Sequence, residues 1–189
     1  MRIALIGCMC LLVVEGLRPA PLPAQVAGAG TEVERSAYYR LVAEHFSVAV
    51  GEVAILSEGV AEPDELPVLL RLSRASGISP AALAARRRSG ESWIGIARRY
   101  GLHVGTFYIS IPNDQVRPQV ERIHELFSET PSAGWGALEV SDEELVVLAN
   151  LDLFNRELGV SIAAVLDSQA ETGSFVTALR ALVAAQPGP

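Results

Sequence analysis

The sequence predicts an all-α protein, a single compact helical domain built from two related helix-turn-helix-like units and preceded by a signal peptide. Three observations support this prediction. Apolar residues recur at the three- and four-residue spacing of helices, capping residues precede these runs, and one stretch of the chain is repeated. No alternating strand pattern competes over most of the 189 residues.

The repeat relates two stretches that lie 82 positions apart, and no gap is needed to align them. We place the two units at about 62–104 and 141–184, joined by 112–140. Because each unit is too small to bury its apolar face alone, the two are expected to pack into one core. The identical pairs are Leu66 and Leu148, Leu69 and Leu151, Arg74 and Arg156, Gly77 and Gly159, Ser79 and Ser161, Ala81 and Ala163, Ala82 and Ala164, and Ser92 and Ser174.

The first two helices are predicted from the residues at their ends. Thr31 and Glu34 have the spacing of a capping box, so a helix is expected from there to about Phe46. A shorter helix is expected over 48–57, with Gly59 ending it.

The first repeat unit is predicted to contain three helices. Pro63 suits the first turn of a helix that runs to about residue 75, where Gly77 stops it. Two further helices are expected over 79–88 and 92–100, each opened by a serine that can act as an N-cap.

The segment between the units is less regular. Residues 103–111 are compatible with either a helix start or a strand. An amphipathic helix is expected over 113–128, with Pro118 either kinking it or marking its real start. Residues 130–140, rich in Gly, Pro and Ser, predict a loop.

The second unit repeats the same order of helices. Ser141 and Glu144 have the spacing of a second capping box, so a helix is expected to about residue 158, closed by Gly159. Helices over 161–170 and 174–184 complete the unit, and the last four residues, 186–189, are expected to be a disordered tail.

The N-terminus has the parts of a secretory signal. A basic residue at position 2 precedes an unbroken run of twelve apolar or small residues over 3–14, which is too short to span a bilayer as a helix. Small residues then offer cleavage near Ala24 or Ala29. A buried N-terminal helix of a cytosolic protein is the alternative interpretation.

The predicted organisation is therefore a signal peptide and disordered leader over 1–29, followed by a helical domain over 31–185 that is exported to the periplasm or the cell exterior. Both cysteines, Cys8 and Cys10, lie in the signal, so the mature chain would have no thiol. This excludes disulfides, thiolate zinc sites and cysteine nucleophiles. No later apolar run approaches the ~20 residues of a membrane span, so no transmembrane segment is predicted in the mature chain.

The net charge of −7 is unevenly distributed, because residues 77–111 carry +4 whereas 112–189 carry −8. Guanidinium groups suit a carboxylate, a phosphate or an anionic lipid head group. The arginines of the basic segment are therefore the candidate anion or partner contact: Arg86, Arg87, Arg88, Arg98 and Arg99.

The alternative is that these arginines are solvated or pair with acids of the same chain. The repeat favours this alternative, because Ser168, Gln169 and Ala170 stand where the second unit would carry the three consecutive arginines.

Aromatic residues fall into two groups. Trp93 and Phe175 occupy matching positions in the two units and are expected to be core residues. Trp135 lies between two glycines in the predicted loop, and an indole in such a place can be an interface anchor. The alternative is that Trp135 forms a lid over the core.

Residues 92–108 contain Ile96-Ala97, Gly101-Leu102 and Thr106-Phe107-Tyr108 in the order of a resolvase- or invertase-type helix-turn-helix, which this segment resembles. The resemblance implies a DNA-binding segment whose recognition helix follows the turn. Base edges are read by Arg, Lys, Asn or Gln, and residues 104–111 include none of these. Nucleic acid is therefore not the expected partner, and we interpret the segment as a packing unit.

A second resemblance covers the region 48–108. Its Glu65-Leu66-Pro67, Ser76-Gly77-Ile78-Ser79-Pro80 and Ser92-Trp93 elements are similar to those of uncharacterised exported helical proteins of bacteria. This resemblance implies a helical fold and export, and it implies no activity.

No catalytic residue, cofactor or metal site is predicted. The three histidines lack ligand spacing, and no phosphate loop, dinucleotide fingerprint or nucleophile elbow occurs. We therefore expect a non-enzymatic exported helical module that binds a protein or an envelope component. A nucleic-acid-binding helix-turn-helix regulator and an enzyme with an unrecognised site stay open as alternatives, and the sequence gives no oligomeric state.

Overall fold

The computed structural model describes the backbone of residues 23–186 and the side chains of residues 32–186. The predicted signal run over 3–14 and residues 187–189 of the predicted tail lie outside these residues. The described part contains helices and 3₁₀ turns but no strand, which confirms the all-α prediction, and it forms one domain. The helices are α1 (Pro23–Phe46), α2 (Val50–Ser57), α3 (Leu66–Ser76), α4 (Pro80–Arg88), α5 (Trp93–Arg99), α6 (Glu121–Glu129), α7 (Asp142–Leu158), α8 (Ile162–Thr172) and α9 (Phe175–Ala185).

The predicted helix ends are confirmed at most positions. An N-cap serine satisfies a backbone N–H that would otherwise have no partner in the first turn. In five helices the serine before the first turn accepts a hydrogen bond from the backbone N–H three residues later: Ser79, Ser92, Ser141, Ser161 and Ser174. Ser141 and Glu144 form the complete capping box.

Helices α3 and α7 each end at a glycine in the left-handed conformation. Gly77 follows α3 with φ of 72°, and Gly159 follows α7 with φ of 64°. Since a side chain strains this conformation, glycine is the residue that suits both positions.

The core forms around α7, which contacts α1, α3, α5 and α8. Leu69 of α3 and Leu151 of α7 are both fully buried, as the expectation of one shared core requires. Trp93 and Phe175 are also buried, so their predicted place in the core is confirmed. Helix α9 packs between α8 and α1 and so connects the last helices of the domain to the first one.

Two acids connect the starts of helices that are far apart in sequence. Asp142, the first residue of α7, accepts a 2.7 Å hydrogen bond from the backbone N–H of Trp93 at the start of α5. Asp64, in the 3₁₀ turn Pro63–Glu65 before α3, accepts from Phe175 at 3.0 Å and Val176 at 3.1 Å at the start of α9. The acid before α3 thus caps α9, and the acid that opens α7 caps α5.

A buried amide links α1 to the same region. The hydroxyl of Tyr38 donates a 2.6 Å hydrogen bond to Oδ1 of Asn150, whose amide nitrogen donates to the carbonyl oxygens of Asp64 and Val146 at 2.8 Å each. Burial raises the pKa of Tyr38 well above 10.0, so the hydroxyl keeps its proton as a donor. This network fixes the position of α1 relative to α7 and the turn before α3.

Three predicted boundaries differ from the structure. Helix α1 begins at Pro23 and not at Thr31, because the Ala-rich residues before Thr31 continue the helix and a proline suits its first position. Residues 103–111 form the 3₁₀ turn Val104–Phe107 followed by extended chain, and therefore neither a longer helix nor a strand.

The helix expected over 113–128 begins only at Glu121, after a 3₁₀ turn over Asn113–Gln115. Pro118 therefore marks the region of its real start, which was one of the two alternatives. The predicted loop over 130–140 contains the 3₁₀ turn Ser132–Ala137.

We predict that Asp142→Ala lowers the free energy of unfolding by about 1–3 kcal/mol, because the N–H of Trp93 loses its acceptor and a partner of Arg87 is removed. Urea unfolding measures this change. The control is Glu125→Ala, an exposed acid of α6, which should stay within about 0.5 kcal/mol of the parent. Equal values for the two variants would contradict the capping role of Asp142.

We also predict that Trp93→Phe is a mild substitution. The indole N–H of Trp93 is buried and has no hydrogen-bond partner among the described residues, and the matching position 175 is phenylalanine. The change removes an unsatisfied donor but leaves a small cavity, so we expect a loss below about 1.5 kcal/mol. Trp93→Ala should cost about 3–5 kcal/mol in the same denaturation assay. A phenylalanine variant as unstable as the alanine variant would refute this.

Candidate functional site

Arg87 is the only one of the five candidate arginines whose guanidinium contacts acids at the starts of both α3 and α7. It donates to Glu65 at 2.5 Å and to Asp142 at 2.6 Å, and it lies over the ring of Trp93 with 5.1 Å to the ring centre. The hydrogen bond to Glu65 is the main cause of its raised pKa. Arg87 therefore has a structural role, because it forms ion pairs with both Glu65 and Asp142.

Three of the other arginines pair with acids nearer the surface. Arg86 donates to the hydroxyl of Tyr100 at 2.9 Å and lies 3.5 Å from Glu91. Arg99 donates to the same Glu91 at 2.8 Å. Arg98 pairs with Glu139 at 2.8 Å across the following loop.

Arg88 is exposed, and no acid pairs with it among the described residues. Its guanidinium packs toward Gly59, so the end of its side chain lies near the chain that follows α2. These placements favour the alternative in which the basic segment pairs within the chain. A partner contact through Arg88, Arg98 and Arg99 stays a prediction.

Trp135 is half-buried in the 3₁₀ turn Ser132–Ala137. Its indole N–H donates to the carbonyl of Thr130 at 2.9 Å, and its ring contacts Tyr108 and Phe127 with centroid distances of 4.6 and 4.9 Å. These contacts are those of a lid over an aromatic cluster, the alternative given for this residue. A role as an interface aromatic stays a prediction.

The segment that resembles a DNA-binding helix-turn-helix has one helix of that motif. Helix α5 forms its first half, and Gly101 adopts φ of 72° in the turn. The second half is the 3₁₀ turn in which Val104 and Phe107 are buried. These buried side chains pack into the core, in agreement with the packing interpretation of this segment.

A mainly apolar groove lies between α1 and α9, with a volume of about 430 Å³. Its apolar lining includes Ala37 and Leu41 of α1 and Leu179 of α9, of which the two leucines are buried. Val33 and Val183 form its walls and are 70% and 51% exposed, which is high for large apolar side chains.

Charged side chains lie along the rim of this α1/α9 groove. Glu34 pairs with Arg180 across the two helices at 2.9 Å. Arg40 and Glu44 also line the groove, and neither forms an ion pair with another described residue. The groove therefore has an apolar lining with charges of both signs available beside it.

The groove was not predicted from the sequence, because the helix ends that predict α1 do not show that it carries two apolar rows. The face with Tyr38, Val42 and Phe46 is buried, as its spacing indicates. A second apolar row, Val33, Ala37 and Leu41, has the same helical spacing and turns toward α9. The matching signal in α9 is Leu179 and Val183, which also lie four residues apart.

No protein-family model, curated protein or solved structure matches this chain. None of the helices in the described part combines the length and the apolar character that a membrane span requires.

We predict that Glu91→Gln destabilises the protein in a pH-dependent way. The hydrogen bond from Arg99 is the main cause that lowers the pKa of Glu91 below 4.5, and Arg86 adds to it. The folded state therefore binds a proton less readily than the unfolded state, so the stabilisation is present above pH 4.5 and is lost as the pH falls through the folded-state pKa.

The difference in melting temperature between parent and Glu91→Gln should be largest near neutral pH and should shrink below pH 4.5. Thermal melts by circular dichroism across this range measure it. A difference that stays constant down to strongly acidic pH would show that Glu91 does not act through its charge.

Proposed function

We propose that this chain is a non-enzymatic, exported helical module whose α1/α9 groove binds an amphipathic helix of a partner protein in the cell envelope. The observation that carries this proposal is the exposure of Val33 and Val183 along a continuous apolar groove. Exposed apolar patches with a polar rim are typical of protein-interaction surfaces.

The geometry of the groove favours a helix as the occupant. Its apolar residues follow helical spacing on both walls, and a third helix can pack its own apolar stripe between two such rows. Arg40 and Glu44 lie one helical turn apart on the rim and offer a positive and a negative charge. A partner helix should therefore carry acidic and basic residues on either side of its apolar stripe.

The proposed origin of the fold in two related units is supported by matched local features. Ser79 and Ser161 cap the second helix of each unit. Near the preceding helix end, the side chain of Ser73 donates to the carbonyl of Ile78, and that of Asn155 donates to the carbonyl of Val160, at positions 82 residues apart. Equal capping and equal helix-end contacts are expected of a duplicated unit.

Export is proposed from the apolar run over 3–14 and the small residues near Ala24 and Ala29. Both small-residue sites fall in the first two turns of α1, before the groove residue Val33. Cleavage at either place leaves the groove-lining part of α1 in the mature chain.

Photo-crosslinking tests the groove proposal. A photoreactive benzophenone amino acid is placed at position 183 of the full chain in the cells that produce it, and at position 55 as a control that is as exposed as Val33 but lies on α2. We expect an adduct with one partner from position 183 and none from position 55. Mass spectrometry should locate the crosslink in an amphipathic helical peptide, and Val33→Arg should abolish it.

Each outcome of this experiment is decisive. A crosslink to a second copy of the chain, equal adducts from both positions, or no adduct at position 183 would overturn the groove proposal. The N-terminus of the crosslinked chain is read in the same analysis, and a chain that begins at Gln25 or Gly30 is the expected product of export. A retained Met1 in a cytosolic fraction would overturn the export proposal alone.

A further inference from the structure

A second depression, apart from the α1/α9 groove, lies where the end of α1 meets α3 and α7. Its volume is about 550 Å³, within the range of sites for small molecules. Unlike the groove it is polar. Its charged and titratable lining consists of His45, Arg71, Arg74, Asp152, Arg156 and Glu157, and we call it the α3/α7 cleft.

Two of the three arginines of the α3/α7 cleft share one carboxylate. Asp152 accepts from Arg156 at 2.6 Å and lies 3.2 Å from Arg71. Arg74 donates to the backbone carbonyl of Phe46 at 2.8 Å and has no acid partner among the described residues. The other acid of the cleft, Glu157, is held by His45 at 2.8 Å.

The arginines of the cleft therefore have N–H donors to which no acceptor of the described chain is hydrogen-bonded. A guanidinium has five N–H donors, and the contacts within the described chain use one nitrogen of each of these three arginines. Three arginines face two acids, so the cleft carries a surplus positive charge in a chain whose net charge is −7.

Burial makes this surplus costly. The side chain of Arg71 is only 20% exposed, and burial is the main cause of its lowered pKa. The charge of Asp152 opposes this lowering, and the nearby positive charge of Arg156 adds to it. An oxyanion in the cleft would offset both effects, because it supplies negative charge and accepts the remaining donors.

We propose that the α3/α7 cleft binds a small molecule through one carboxylate or phosphate group, held by Arg71, Arg74 and Arg156. A membrane surface could reach the side chain of Arg156, which is 65% exposed, but not that of Arg71, which is mostly buried. A free molecule that enters the cleft therefore fits better than a membrane surface. Arg74 and Arg156 are the matching arginines of the repeat, so each stretch supplies one of the outer donors.

Titration calorimetry on the full chain tests this site, with inorganic phosphate and succinate as probes at constant ionic strength. The variants are Arg74→Gln and Arg156→Gln, and the control is Arg35→Gln, an exposed arginine of α1 outside the cleft. Melting temperatures establish that each variant is folded. If Arg74→Gln does not fold because it loses the hydrogen bond to Phe46, the result for Arg156→Gln alone decides the test, since the side chain of Arg156 is mostly exposed.

We expect at least one probe to bind the parent and the Arg35→Gln control with equal affinity, and to bind the cleft variants about tenfold more weakly, as the loss of one charge-assisted hydrogen bond predicts. Equal affinity in all variants, or no binding tighter than about 1 mM for either probe, would overturn the proposal. Vesicles containing phosphatidylglycerol form the last arm, and binding to vesicles without binding to either free probe would also refute it.

Discussion

The pairing of α3 with α7, whose beginnings hold two carboxylates that cap other helices, is the constraint on which the rest of the structure depends. Asp64, just before α3, caps α9, and Asp142, at the start of α7, caps α5. Burying a carboxylate is unfavourable, and burial is the main cause of the raised pKa of Asp64, which the hydrogen bonds from Phe175 and Val176 oppose. The hydrogen bonds to these carboxylates offset this cost, because the backbone N–H groups at the two helix starts would otherwise lack acceptors.

Both proposed binding sites follow from this pairing. Once α3 and α7 are locked together, α1 can pack across them, and Tyr38 and Asn150 hold it there. The middle of α1 then faces α9 and forms the apolar groove, whereas its last turn, with His45, borders the polar cleft. One helix thus contributes to two surfaces of opposite character, which is why the groove suits an apolar helix and the cleft suits an anion.

Local features of the fold could be predicted from the sequence because they are encoded by neighbouring residues. Ser92, Ser141 and Gly77 act within one helical turn, and the structure places each as predicted. The arginine interactions could not be predicted, because Arg87 pairs with acids 22 and 55 residues away. In the densest run of positive charge, Arg86 and Arg87 are matched by acids and Arg88 is not, within the described part of the chain. The arginines of the α3/α7 cleft are scattered in sequence and come together only in the fold.

The two tryptophans have a practical consequence. Trp93 is fully buried beside the charged group of Arg87, and Trp135 is half-buried against Tyr108 and Phe127 in a surface turn. Their indole emission reports on different parts of the molecule, since the first senses the junction of α5 with α7 and the second senses only the surface turn. With a single-tryptophan variant of each kind, global unfolding and local opening of the turn become separable optical signals.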